Sequence, residues 1–197
     1  MNKNVERGRA TRAHLIDVAT RLFAAAGYDG TSIEAVLAES GASRGSLYHH
    51  FANKEALFLA VMEDASTRAV QPTAEAIGAS TDPVTALRMG CLAWIRLADD
   101  PVVRQIVLID APAVLGWQRW RELDEQGPLG VIRGLLSGAA EAGRIEARHV
   151  DVFAHIVVAS INEVALMLAR ADDRTEALAT AESAVDEFLD RLLGEQG

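Results

Sequence analysis

The chain has 197 residues, 50% of them apolar and 24% charged, which is enough apolar material for a packed core at a charge density close to the globular average. Its single cysteine, Cys91, excludes an internal disulfide, and no run of about 18 uncharged apolar residues exists to cross a bilayer. The net charge of −9 argues against a nucleic-acid partner until it is divided along the chain. Residues 1–54 hold seven Lys/Arg against five Asp/Glu, a net +2, and residues 55–197 hold twelve against twenty-three, a net −11.

The polar N-terminus, MNKNVERGRATR, has no apolar stretch of the signal-peptide kind, so a reducing, cytoplasmic setting is expected. Ala, Leu, Glu and Arg are abundant and strand formers do not alternate, so the fold is expected to be all-α, with about nine helices. Leu15, Ala19, Leu22, Phe23 and Ala26 place an apolar stripe on a helix over Thr11–Ala26, which Gly27 ends with a left-handed residue. Thr31 and Glu34 have the spacing of a capping box for the second helix, in which Ile33, Val36 and Leu37 point inward.

Ser40-Gly41-Ala42 makes the next turn, because Gly41 adopts positive φ without strain. Ser43 caps a third helix, anchored by Leu47 and Phe51, and Asn53 caps a fourth that starts at Lys54 and continues towards Ile77. Two short helices around a glycine turn, the second polar on one side and apolar on the other, are what a helix-turn-helix needs to lay one helix in a major groove.

Five further helices are expected. Asp82-Pro83 and Asp100-Pro101 each pair an N-cap with proline at the first helical position. Asp110–Gly127 is ambiguous, a loop leading into a helix with Trp117, Trp120 and Leu123. Pro128 opens a helix closed by Gly143, and the last two run over Val150–Ala171 and Thr175–Leu193. Gly130, Gly134 and Gly138 recur every four residues, a spacing that permits a tight helix contact inside the body.

The pattern LIDVATRLFAAAGYDGTS, the helix after it, and SRGSLYHHFANKEALF follow one another without a gap over the first 60 or so residues. In this the chain resembles the N-terminal domain of the TetR (tetracycline-repressor-like) family of bacterial regulators. The resemblance implies a three-helix DNA-binding head over residues 1–54 and a helical domain over residues 55–197 that binds a small ligand and dimerises. It implies a repressor released from a palindromic double-stranded operator when the unidentified effector binds, with no cofactor and no membrane partner.

Physics and resemblance agree on the head. Ser43, Arg44, Gly45, Ser46, Tyr48 and His49 are expected to face the groove. Arg44 has the fork for a guanine edge or a phosphate, and Gly45 lets the helix backbone come close. Lys54, at a helix start, suits a phosphate, and Thr31 and Ser32 suit the opposite backbone. Arg7, Arg9 and Arg12 read either as a flexible basic arm or as a solubilising tail. The adjacent His49 and His50 point about 100° apart and have no partner ligand at helical spacing, so no metal site is expected.

For the effector pocket the candidates are Met62, Met89, Trp94, Leu97, Trp117, Trp120, His155 and Asn162, a mostly apolar set with a few polar groups. Asn162 and Glu163 stand out, because a polar residue within an apolar helix must meet a partner, solvent, a ligand or another subunit. The last two helices carry apolar stripes, Ile156, Val157, Ala159, Ser160, Val164 and Met167, then Ala177, Ala181, Ala184, Val185, Phe188 and Leu192. They suit either a homodimer interface or the subunit's own core. No nucleophile elbow, metal-ligand pair or glycine-rich phosphate loop marks an enzyme. A protein–protein adaptor that kept the head is the remaining rival.

Overall fold

The computed structural model describes residues 3–116, 118, 119, 122 and 128–194, with side chains from residue 5 onward. Among these residues the secondary structure is helical throughout, in nine α-helices and three shorter or wider helical turns. They are α1 (Lys3–Gly30), α2 (Ile33–Ser40), α3 (Arg44–His50), α4 (Lys54–Gly78), α5 (Pro83–Arg96), α6 (Ala111–Leu115), α7 (Pro128–Glu141), α8 (Val150–Arg170) and α9 (Arg174–Leu193). A segment of wide π-helical turns, Val103–Asp110, leads directly into α6.

The expected caps at Ser43, Asn53 and Asp82 form as read: each side chain accepts from the backbone amide three residues on. Asp100 takes the amides of Val102 and Val103. The second helix corrects the reading. Its cap is Ser32, whose hydroxyl accepts from Ala35 N–H at 3.1 Å, because the helix starts two residues after Thr31. The first helix begins at Lys3, so Arg7, Arg9 and Arg12 lie on helical backbone and not in an unstructured arm. Gly27 breaks it at φ 71°, ψ 174°, the predicted place, and a further turn carries the chain on to Gly30.

Two apolar clusters organise the molecule. The first gathers Leu15 and Phe23 of α1, Ile33 and Val36 of α2, Leu47 of α3 and Phe51 beyond it. It continues through Leu57, Phe58 and Val61 of α4 and takes in Ile106 and Ala111. The second holds α5, α7, α8 and α9 together around Leu87, Ile95, Leu136, Val157, Ile161 and Leu189. Cys91 belongs to it, buried, and desolvation pushes its thiol pKa up to about 12, so it behaves as a small apolar residue. Helix α4 runs between the clusters with Pro72 inside it.

The stripes assigned to the last two helices divide between inside and outside. On α8, Val157 is fully buried in its own subunit, while Ile156, Ala159 and Met167 face outward together with Val152. On α9 the subunit's own core takes the larger share: Val185 is buried, and Ala177, Ala181, Phe188 and Leu192 pack on the second cluster, leaving Ala184 outside beside Thr180 and Ser183. Charge helps seat that helix. Arg88 of α5 pairs with Asp186 at 2.8 Å and with Asp190, and Arg96 pairs with Glu182 at 2.6 Å. Helix α8 is long and apolar enough to cross a membrane, with mean hydropathy 1.9, yet one of its faces joins the second cluster.

Of the glycines spaced by four on α7, Gly138 alone meets a neighbour: a Cβ there would lie 2.9 Å from Pro83 Cβ, whereas Gly130 and Gly134 face open space. Gly138→Ala is therefore expected to cost about 1–3 kcal/mol through crowding, and Gly134→Ala to stabilise by ~0.5–1 kcal/mol through helix propensity. Urea unfolding of the two variants should move the midpoint in opposite directions.

Candidate nucleic-acid interface

Helix α3 has seven residues and one buried anchor, Leu47, with Phe51 buried at its C-cap. With these two facing down, the opposite edge is presented to solvent. Ser43, Arg44, Gly45, Tyr48 and His49 are exposed and Ser46 is half-buried. Tyr48 is one of the large hydrophobic side chains left exposed, at 43%. A Cβ on Gly45 would meet nothing within 4 Å, so this part of the helix surface is flat and a partner can approach the backbone closely. Ser43 already uses its hydroxyl as the cap, accepting from Ser46 N–H at 3.2 Å.

The cations around α3 are held at specific places. Arg44 Nη2 donates to Glu34 Oε1 at 2.8 Å, and this pairing, after the carboxylate's own backbone hydrogen bond, holds the Glu34 pKa below the usual carboxylate range. Arg21 ties α1 to α2 through Glu39 at 2.9 Å. Arg12 lies 5.3 Å from the centroid of the Phe51 ring and Lys54 Nζ 4.1 Å from that of Tyr28, a cation–π contact on an aromatic face. The Lys54 ammonium, expected at a phosphate, thus sits half-buried on Tyr28.

Ser32 is exposed at the α2 cap, but Thr31 is not. It is 3% exposed, and its hydroxyl donates to the Gly27 carbonyl at 2.9 Å. Its assignment to a DNA backbone contact is therefore withdrawn: the hydroxyl satisfies a carbonyl at the α1 break.

That break also joins the head to the body. Tyr28 N–H donates to Asp110 Oδ2 at 2.7 Å, across 82 residues of sequence, and Gln105 Nε2 donates to Asp110 Oδ1 at 3.0 Å. The Tyr28 ring stacks on Phe23 and meets Phe58 edge-on, fixing the position of its amide. Burial raises the Asp110 pKa above the ordinary carboxylate range, against the pull of both hydrogen bonds. Neither Asp110 nor Gln105 was legible as a functional residue, because nothing in a local pattern couples position 110 to position 28.

The pocket candidates are not brought together. Met62 is buried in the first cluster, beside the head, so it does not belong with the others. His155 is exposed on the outer face of α8, where an inward role is corrected by the helix register. Met89 and Leu97 are half-buried, and Trp94 Nε1 donates to Asn162 Oδ1 at 3.0 Å. That contact links α5 to α8 and gives the polar residue inside an apolar helix its partner. Trp117 and Trp120, like Leu123, lie outside the described residues. Among the described residues no cluster of His, Cys, Asp or Glu has the geometry to hold a metal ion.

Helices of this kind, in this order, with a short exposed helix behind a glycine turn, define a helix-turn-helix regulator. Residues 84–192 match the family model for the tetracyclin repressor-like C-terminal domain, and residues 15–61 match the one for bacterial regulatory proteins of the tetR family. The chain belongs to the TetR family of DNA-binding transcriptional regulators. It is 27% identical to a TetR-family transcriptional regulator from Pectobacterium atrosepticum, with a TM-score of 0.84 over 99% of both chains.

It is also 37% identical over 79 residues to the regulator LmrA of Bacillus subtilis, spanning 40% of this chain and 42% of LmrA. It is 35% identical over 65 residues to the repressor AcnR of Corynebacterium efficiens, spanning 33% of this chain and 35% of AcnR. The matched stretches thus cover less than half of these two relatives.

The Asp110 contact has a pH signature. A carboxyl whose folded-state pKa lies above its ordinary 3.8 binds its proton more tightly in the folded state, so its contribution to stability is largest at low pH and is lost as pH rises through the folded value. Asp110→Asn keeps an oxygen for the Tyr28 amide and removes the titration. Compared by urea unfolding between about pH 4 and pH 7, the variant should gain on the wild type as pH rises; a constant difference would exclude the raised pKa.

Proposed function

We propose that this protein is a repressor that binds a palindromic DNA operator as a homodimer and releases it when a small effector occupies the body. The observation that carries the reading is the outward edge of α3, where Arg44, Tyr48 and His49 stand on solvent around an unobstructed Gly45 while Leu47 anchors the helix from below. Residues 1–54 serve as the DNA-binding domain and residues 55–197 as the ligand-binding and dimerisation domain. The protein acts in the cytoplasm, where operator and effector meet. The repressor named AcnR among its relatives supports the sign of regulation.

In this reading Arg44 addresses a base edge or a phosphate, Tyr48 and His49 reach the backbone or a thymine methyl, and Ser32 and Lys54 flank the phosphates. Ser43 and Ser46 lie at the entry of the helix, and Gly45 admits the backbone. Two such heads reading successive major grooves stand about 34 Å apart. The outward face of α8, with Val152 at 59% and Met167 at 63% exposure, supplies apolar area for a copy of the chain, and the small outward residues of α9 allow close approach. Covering this face also accounts for a helix as apolar as α8 in a chain of net charge −9.

Effector release requires two head spacings and a ligand that prefers one of them. The Tyr28–Asp110 contact is the natural coupling point, because Asp110 ends the π-helical segment that the body positions and Tyr28 belongs to the head core. The Trp94–Asn162 pair, with Met89 and Leu97 on the same helix or just beyond it, marks where a small molecule would meet polar groups in an apolar body.

Selection from a random DNA pool, followed by anisotropy titration of the selected site, tests the reading. Arg44→Ala and Tyr48→Ala should each weaken specific binding by about tenfold or more, with the dimer unchanged in analytical ultracentrifugation. The wild-type affinity should fall steeply with salt. Unaltered affinity of both variants would rule out α3 as the contact helix.

A further inference from the structure

The head holds two arginine–glutamate pairs between helices, and they differ in how much of the guanidinium they consume. Arg21 spends Nε and Nη2 on Glu39 and Nη1 on the Asp17 carbonyl, which uses all three of its nitrogens within the protein. Arg44 is joined to Glu34 through Nη2. Nη2 carries two hydrogens and this contact uses one of them, so the other still forms a two-donor edge with the neighbouring nitrogen on its side, and a planar guanidinium fork needs one such edge to donate to a guanine.

Glu34 is unusual for its position. It is an exposed carboxylate beside the helix that faces DNA, in a head with a net charge of only +2, where an unpaired negative charge opposes every phosphate contact. An exposed ion pair contributes little to stability, so folding does not account for it. The place of Glu34 on the backbone is, however, well defined: it sits in the first turn of α2, which Ser32 caps and the buried Ile33 and Val36 anchor. A long arginine side chain held at one nitrogen by an acceptor on an anchored helix gives up less rotamer freedom when its remaining edge meets a partner.

We propose that Glu34 is a positioning residue for DNA readout: by binding Arg44 Nη2 it fixes the guanidinium plane and directs the remaining edge to one base pair. This rests on the reading of α3 as the DNA-contacting helix. Glu34 then affects discrimination between sequences more than affinity as such, which separates it from an ordinary surface acid.

The test uses the full-length dimer and a selected operator with each base pair substituted in turn, read by anisotropy titration. Arg44→Ala first identifies the base pair whose discrimination depends on that side chain. Glu34→Ala is expected to lower discrimination at the same base pair by about fivefold or more, while affinity for unrelated DNA holds or rises as a negative charge is lost. Glu34→Gln, which retains an acceptor oxygen, should recover part of the discrimination. Uniformly tighter binding by Glu34→Ala, with the ranking of bases at that pair intact, would overturn the proposal and leave Glu34 a solvated charge. If Arg44→Ala flattens no base pair although the wild type discriminates, the reading of α3 through Arg44 fails and the inference goes with it.

Discussion

A helix of seven residues does not hold its shape in water, where isolated helices shorter than about 12 residues are marginal. Helix α3 exists because Leu47 and Phe51 are clamped onto the cluster built from α1, α2 and the first turns of α4, and because Ser43 satisfies its first amides. The other features of the head follow from that constraint. Since two apolar groups fix which way the helix faces, the side chains between them have no choice but to point outward. The exposed polar edge of α3 is thus a by-product of its anchoring surface.

The same cluster extends past the head. Ile106 and Ala111 belong to it, and Asp110 between them accepts the Tyr28 amide, so the π-helical segment and α6 form part of the seat on which the head rests. Wide π turns are rare and costly in regular helices and concentrate where function needs an unusual placement. Here they set the register that brings the Asp110 carboxylate to the end of α1, next to the Gly27 break. A close packing of this kind leaves little slack: even a methyl group at Gly27 would lie 3.2 Å from Gln105 Nε2, besides straining a positive φ.

The body solves a different problem. Its core is apolar and conventional, but its last helix is secured in part by charge, with Arg88 and Arg96 of α5 reaching Asp186, Asp190 and Glu182. Three acids of the C-terminal part are thus paired along one seam, while the outer face of α8 carries the apolar Val152, Ile156, Ala159 and Met167. The −11 balance of residues 55–197 is therefore compatible with an apolar contact surface on the same part of the chain.

The sequence by itself determined the helical class, most caps, the glycine breaks, and which edge of α3 is polar, because each of these rests on spacings of two to four residues along one helix. It misjudged Thr31, since Thr31 and Ser32 are both cap-forming residues and the capping-box spacing to Glu34 favours Thr31, whereas the Thr31 hydroxyl is buried against Gly27 and Ser32 makes the cap. It also misplaced Met62 and His155 and left the α9 stripe open between the subunit's own core and another copy, because an apolar face does not say which neighbour covers it. The junction of Asp110 with Tyr28, the pairing of Trp94 with Asn162, and the difference between Arg21 and Arg44 were decided by tertiary structure alone. Each joins groups on separate helices, and their meeting depends on how those helices cross, which no local periodicity encodes.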